Sequence, residues 1–156
     1  MQEVALFLEQ TALAEGLRDS VWLYPLVNAG HVLGIALVVG GVVPLDLRIL
    51  GLWPKLPLLP FWRVLRTTVA AGLALAVVTG FLLFLTRAPE YLASSWFLGK
   101  LTVLLLSLAN VALVMARYPL PEAADRPPPG GLKVCALISL VGWCLVLLLG
   151  RLVGYF

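Results

Sequence analysis

The chain has 156 residues, of which 62% are hydrophobic and 12% are charged, and its mean hydropathy is +1.03. A soluble domain is typically about half apolar and about a quarter charged, and a fold of this length has too little interior to bury so much apolar surface. The composition therefore excludes an ordinary soluble domain, and the net charge of +3 does not indicate a nucleic-acid partner.

Residues 3–19 precede the apolar part of the chain and predict a short, weakly amphipathic helix. The segment carries four acidic residues and no basic n-region, so it is not typical of a cleavable signal peptide. Two interpretations stay open. The helix lies on the membrane surface, or it is a polar lead-in that packs on the remainder of the protein.

Four apolar stretches are each long enough to cross a bilayer as an α-helix. A crossing helix needs ~20 residues, and its backbone amides must pair within the segment because lipid offers them no partner. The predicted spans are 22–43, 64–85, 96–116 and 132–153. The sequence therefore predicts an all-α, polytopic membrane four-helix bundle, a single transmembrane domain over residues 1–156 with a short N-terminal interfacial helix.

The connections between spans are rich in proline. Three prolines recur at every third position within residues 51–62, which disfavours a helix and predicts an extended, polyproline-like strand. Three consecutive prolines and two glycines in residues 119–131 predict a linker. Asp46 and Arg48, just beyond the first span, are expected to anchor the membrane interface and to pair locally.

Basic residues are distributed unequally between the two sides of the predicted bundle. The connections over 44–66 and 117–133 carry seven Lys and Arg residues, against four on the other side. The positive-inside rule then places both connections in the cytoplasm. For a bacterial inner membrane, both termini are predicted to be periplasmic.

Small residues recur at four-residue steps on the second span, at Thr68, Gly72, Ala76 and Gly80. Gly30 and Gly34 form a shorter pair on the first span. Small residues at this spacing allow two helix backbones to approach closely. The pattern predicts contacts inside the bundle, and a homodimer seam is the alternative interpretation.

Three polar residues within the spans are candidate site residues, because such groups are costly in a membrane and mark function by default. His31 is the only histidine and lies about 13 Å into the first span, with Asn28 one turn earlier on the same side. Lys100 opens the third span in the same half, so His31 and Lys100 are expected to face one interior cavity. The alternatives are a histidine that only hydrogen-bonds a neighbouring helix and a lysine that snorkels to the headgroups.

The polar and aromatic pattern over most of the chain resembles an uncharacterised family of small four-helix bacterial membrane proteins. The residues that carry the resemblance are Ser20, Trp22, Tyr24, Pro25, His31, Gly34, Asp46-Leu47-Arg48, Gly51, Phe61-Trp62-Arg63, Thr79-Gly80, Lys100 and Asn110. By position, His31 and Lys100 are also similar to polar residues of the CopD copper-resistance membrane domain and of HemJ-type protoporphyrinogen oxidases. The HemJ-type resemblance implies haem b, with a first-helix histidine and a third-helix lysine as key residues.

Three hypotheses for function follow. In the first, the protein binds haem b through His31 in a redox-linked role, with Asn28 and Lys100 in the site, since a single axial histidine can hold haem. In the second, it is a non-catalytic accessory or structural subunit, and its partners are the lipid bilayer and either a second copy or a larger membrane complex. In the third, His31 is a metal ligand of a CopD-like copper protein. Copper transport by one chain is disfavoured, because Cu(I) needs several soft ligands and the only methionines are Met1 and Met115.

Overall fold

The computed structural model describes residues 2–118 and 127–155. The helices in these two ranges are α1 (Gln2–Glu9), α2 (Ala12–Asp19), α3 (Leu23–Leu50), α4 (Leu58–Thr86), α5 (Ala88–Ala93), α6 (Ser95–Arg117) and α7 (Gly130–Leu152). The described ranges contain no strand. The helices α3, α4, α6 and α7 are each long and apolar enough to cross a membrane, which confirms the predicted all-α four-helix architecture.

The four long helices pack round a common apolar interior. Helix α3 packs along α4 and against α7, and α6 packs along α7. One interior cluster forms round Trp143 and Val38, and a second forms round Leu132 and Ile49; each draws side chains from all four helices. Over their described lengths, α4 and α6 make no comparably close contact with each other, so the side between them is the widest side of the bundle.

The first two membrane helices are longer than the predicted spans 22–43 and 64–85. Helices α3 and α4 have 28 and 29 residues. At 1.5 Å per residue each is over 40 Å long, about 10 Å more than the hydrocarbon core of a bilayer. Helix α3 continues through Pro44 to Leu50, seven residues beyond the predicted end of the first span at residue 43. The other two predicted spans agree closely with α6 and α7.

The prediction of an extended strand over residues 51–62 is wrong. Turns occupy residues 51–56, and α4 begins at Leu58 with Pro60 in its first turn. The first amides of a helix have no intrahelical acceptor, so a proline there sacrifices no hydrogen bond. Of the predicted linker over 119–131, residues 119–126 lie outside the described residues, and α7 begins at Gly130.

The local pairing predicted for Asp46 and Arg48 is found for Arg48 only. The Arg48 guanidinium donates to the carbonyl oxygens of Leu56 and Pro54, at 2.8 and 3.1 Å, and so closes the turn after α3. Asp46 lies on a different face of α3 and is buried against α7, so the prediction that it anchors the membrane interface is wrong. The two side chains, two residues apart on one helix, point in different directions and meet different partners.

The predicted helix over residues 3–19 is two helices, because Thr11 begins a new one. Its hydroxyl accepts a hydrogen bond from the Ala14 amide at 3.3 Å, which is the usual arrangement of a helix N-cap. Helix α1 packs on α5 and α4, and α2 packs on α4 and α3. Arg18 fastens α2 by donating to the Thr86 carbonyl at 3.0 Å. Of the two interpretations, the structure agrees with a segment that packs on the bundle.

We call the end of the bundle that carries α1, α2 and α5 the proximal end, and the end with the 51–57 turn the distal end. Between them, α3 and α4 are closest at two glycines. A Cβ added to Gly34 would lie 2.6 Å from the Ala76 amide nitrogen, and one added to Gly72 would lie 2.6 Å from Leu37 Cβ. The predicted small-residue ridge therefore forms a contact inside one chain, and the alternative of a homodimer seam on this face is excluded because α3 occupies it.

Candidate functional site

His31 lies in the proximal half of α3 and faces α4. Its Nδ1 is 2.9 Å from the carbonyl oxygen of Ala76 and 3.2 Å from the hydroxyl of Thr79. A carbonyl oxygen can only accept, so Nδ1 carries the hydrogen, and in the neutral ring Nε2 keeps its lone pair. Metal-ligating histidines use this arrangement, in which a backbone carbonyl fixes one ring nitrogen and leaves the other to bind.

Gly80 makes room for the imidazole. A Cβ at this position would lie 2.8 Å from His31 Cε1, too close for a real contact, and 3.2 Å from Nδ1, which is unusually tight. The Thr79 hydroxyl donates to the Leu75 carbonyl at 2.6 Å, so it can accept from the ring but has no proton left to give it. The sequence predicted that Gly80 packs against another helix. In the structure it packs against the imidazole of His31 and so belongs to the candidate site.

Lys100 approaches the same region from α6. Its side chain packs on Gly150 of α7, where an added Cβ would lie 3.7 Å from Nζ. It is half-buried and close enough to His31 for the two groups to interact electrostatically. Among the described residues no carboxylate pairs with Lys100. The structure therefore brings His31 and Lys100 together and leaves the ammonium without a counter-ion from those residues.

Asn28 does not join this group. It is exposed on α3, and its side chain makes no hydrogen bond within the described ranges. Three residues along a helix leave an offset of about 60°, which is enough to move Asn28 out of the α3–α4 contact in which His31 lies. The expectation that Asn28 shares the side of the helix that faces the site is therefore wrong.

The proximal end of the bundle contains a polar cavity that the sequence did not predict. It has a volume of about 390 Å³ and is lined by Tyr24, Arg87, Glu90, Tyr91, Ser94, Val153, Gly154 and Tyr155. Burial raises the pKa of the Tyr91 phenol, which keeps it neutral near pH 7. Tyr24 precedes His31 by two turns of α3, about 10 Å. The cavity is therefore a polar vestibule on the proximal side of His31.

Helix α5 and the Ser94 cap, which shape this vestibule, left only a weak signal in the sequence. Pro89 lies in the first turn of α5, and the Ser94 hydroxyl accepts from the Phe97 amide at 3.4 Å to begin α6. Sequence reasoning also missed Asp46, which is only 5% exposed. Its spacing from Val38 and Val42, at four-residue steps, would have placed it on the buried face of α3 if the helix had been extended far enough.

Four apolar helices round a common interior define a multi-pass integral membrane protein. No protein-family model matches the sequence, and no curated protein sequence or solved structure matches it significantly. The resemblance to CopD and to HemJ-type oxidases gains no support from these comparisons and stays a prediction. Within residues 2–118 and 127–155, no three His, Cys, Asp or Glu side chains come together in a way that could hold a metal ion. In those ranges the copper hypothesis therefore depends on His31 alone.

Proposed function

We propose that this protein binds haem b in the proximal half of the bundle, with Nε2 of His31 as an axial ligand. The observation that carries the proposal is the hydrogen bond from His31 Nδ1 to the Ala76 carbonyl, because it fixes the tautomer that can ligate iron. Haem, when bound, supplies one-electron transfer, and its environment sets the potential. The role is therefore redox-linked.

Lys100 supports the proposal as a partner for a haem propionate. An ammonium without a counter-ion is costly inside a membrane helix, and pairing with a carboxylate would offset much of that cost. Arg87, in the vestibule, is a second cation on the proximal side, although it already pairs with Glu90 at 3.5 Å. Both cations lie in the proximal half of the bundle, as His31 does, and could pair with the carboxylates of a bound haem.

The shape of the bundle also supports a flat, apolar ligand. The side between α4 and α6 is the widest, and its proximal end is bridged by the stacked rings of Phe84 and Phe97, whose centroids are 5.7 Å apart. These rings close the proximal end of that side, so a haem would enter between α4 and α6 on the distal side of them. Because His31 faces α4 of its own chain, a single axial histidine is favoured over two copies of His31 that share one haem.

A spectrum of the detergent-purified protein from haem-supplied cells tests the proposal. We expect a Soret band and, after reduction, resolved α and β bands; His31→Ala should lose them. Asn28→Ala is the matched control, an exposed polar residue one turn away, and should keep the spectrum. A featureless spectrum of the wild-type protein, or an unchanged spectrum in His31→Ala, would contradict haem ligation by His31.

A second candidate function, that of an accessory subunit, is favoured by Asn28. It is an exposed amide within α3, and the residues that follow at four-residue steps, Val32, Ala36 and Gly40, are also exposed. An amide at such a position gains from a hydrogen bond to another helix, and small residues allow that helix to approach. A featureless spectrum would contradict the haem proposal and would be compatible with the accessory-subunit function.

We also propose that the protein lies in a bacterial inner membrane with its proximal end in the periplasm, as the excess of basic residues at the distal side favours. With Cys135 and Cys144 replaced by Ala, a membrane-impermeant maleimide should label Gly16→Cys in intact cells. It should label Lys55→Cys only after the cells are opened. Both positions are exposed, at opposite ends of the bundle. Labelling of Lys55→Cys but not Gly16→Cys in intact cells would show that the orientation is the opposite of the one proposed.

A further inference from the structure

Asp46 is a buried acid in the distal half of the bundle, apart from the candidate haem site. It is 5% exposed and follows Val42 on the face of α3 that packs against Trp143 of α7. Its carboxyl group faces Ser139, which lies one turn before Trp143 on α7. In the part of the chain that the structure describes, nothing donates a hydrogen bond to its Oδ2 atom.

The helices round Asp46 bring no positive charge to it. On its own helix, Arg48 is engaged by the carbonyl oxygens of the 51–57 turn. From α4, Arg66 lies over the ring of Trp62, 5.0 Å from its centroid. From α7, the titratable group on this face is the buried thiol of Cys135. The backbone carbonyl of Cys135 accepts a hydrogen bond from the Asn110 side chain of α6 at 3.0 Å. No ion pair within the described ranges includes Asp46.

An ionised carboxylate in such a place needs a cation or several hydrogen-bond donors, and a buried ion without them costs far more than a buried neutral group. The surroundings of Asp46 supply one hydroxyl, that of Ser139. A proton on Oδ2 would remove the charge and occupy the oxygen atom that has no donor. The other oxygen could then accept from Ser139.

We propose that Asp46 and Ser139 form a proton-binding site inside the bundle. The site takes up one proton on Asp46 Oδ2 and, on release, returns a carboxylate and a free proton. Asp46 is four residues from the end of α3, so the site exchanges protons with the distal side.

This site is separate from His31. Asp46 follows His31 by fifteen positions on α3, a rise of about 22 Å, and the apolar cluster of Val38, Val42 and Trp143 lies between them. The two sites therefore lie in different halves of the bundle. The inference therefore stands or falls independently of haem binding.

Reaction with dicyclohexylcarbodiimide, an apolar reagent that modifies protonated carboxyl groups in apolar surroundings, tests the site in the full-length protein. We expect peptide mass spectrometry to find the adduct on Asp46 at pH 7, to show less of it as the pH is raised, and to find none in Asp46→Asn. Glu90, an exposed acid paired with Arg87, is the control in the same chain and should stay unmodified.

Infrared spectroscopy covers the case in which the reagent fails to reach the site. A carboxylic-acid C=O band should be present in the wild-type protein, absent in Asp46→Asn, and shifted in Ser139→Ala, because the hydrogen bond from the hydroxyl is lost. Absence of both the adduct and the band would overturn the proposal. Protection of Asp46 by sodium, but not by choline, at constant pH would also overturn it, since the site would then bind a metal cation.

Discussion

Gly72→Leu and Gly34→Leu are each expected to abolish the folded bundle. At both positions an added Cβ meets the facing helix below 3 Å, and at Gly34 the atoms it meets belong to the α4 backbone. A side chain can rotate away from such a collision, but a helix backbone cannot, so α3 and α4 must separate. Overpacking typically costs 1–3 kcal/mol, and we expect about 3 kcal/mol or more here.

Separation of these two helices is damaging for a further reason. Lipid is as apolar as the helix surface, so helix association in a membrane depends on close packing rather than on the hydrophobic effect. The α3–α4 contact is the most extensive in the chain. Once it opens, the rest of the bundle loses its main support.

The measurement is the yield of monodisperse protein in detergent and its melting temperature. Gly40→Leu is the matched control on α3, because a Cβ there meets no atom within 4 Å, and it should behave as the wild-type protein does. A wild-type melting temperature in Gly72→Leu would show that the two helices do not approach as closely as the structure has them.

The sequence predicted the fold well because lipid imposes a simple requirement. Each crossing segment must be long, apolar and helical, and all three properties can be read along the chain without knowledge of tertiary contacts. Helix ends follow a weaker rule. Pro60 was taken as part of an extended segment, yet it lies in the first turn of α4, and α3 runs through Pro44 to Leu50.

Recognition of the polar residues depended on the predicted span boundaries. His31 and Lys100 stood out because ionisable groups are rare inside spans. Asp46 was assigned to the interface because the first span was taken to end before it. Its burial depends on the packing of Ser139 and Trp143 from α7, nearly a hundred residues later in the chain. Such a contact leaves no local trace in the sequence.

Gly80→Ala should displace His31 without unfolding the bundle, in contrast to substitution of Gly72. The added methyl would lie 2.8 Å from Cε1 of the imidazole, and the three heavy atoms nearest to it all belong to that ring. The ring can turn away while the helices stay in place. We therefore expect a small change in melting temperature, together with loss of the hydrogen bond from His31 Nδ1 to the Ala76 carbonyl.

Diethylpyrocarbonate gives a direct measurement, because it modifies unprotonated imidazole nitrogens and the chain contains a single histidine. We expect Gly80→Ala to react faster than the wild-type protein and to lose the haem spectrum. Thr79→Val is the milder control, since it removes the hydroxyl 3.2 Å from Nδ1 and keeps the carbonyl at 2.9 Å. It should retain most of the haem.

The two readouts separate the geometry of His31 from its proposed ligand. Faster modification with loss of haem would mean that the Ala76 carbonyl holds the imidazole in the orientation that ligates iron. Faster modification in a protein that never binds haem would confirm that Gly80 positions His31 and would contradict the haem proposal. Unchanged modification with haem retained would show that Gly80 does not position His31. The hydrogen bond from Nδ1 could then no longer carry the haem proposal, because that argument requires a ring held in one place.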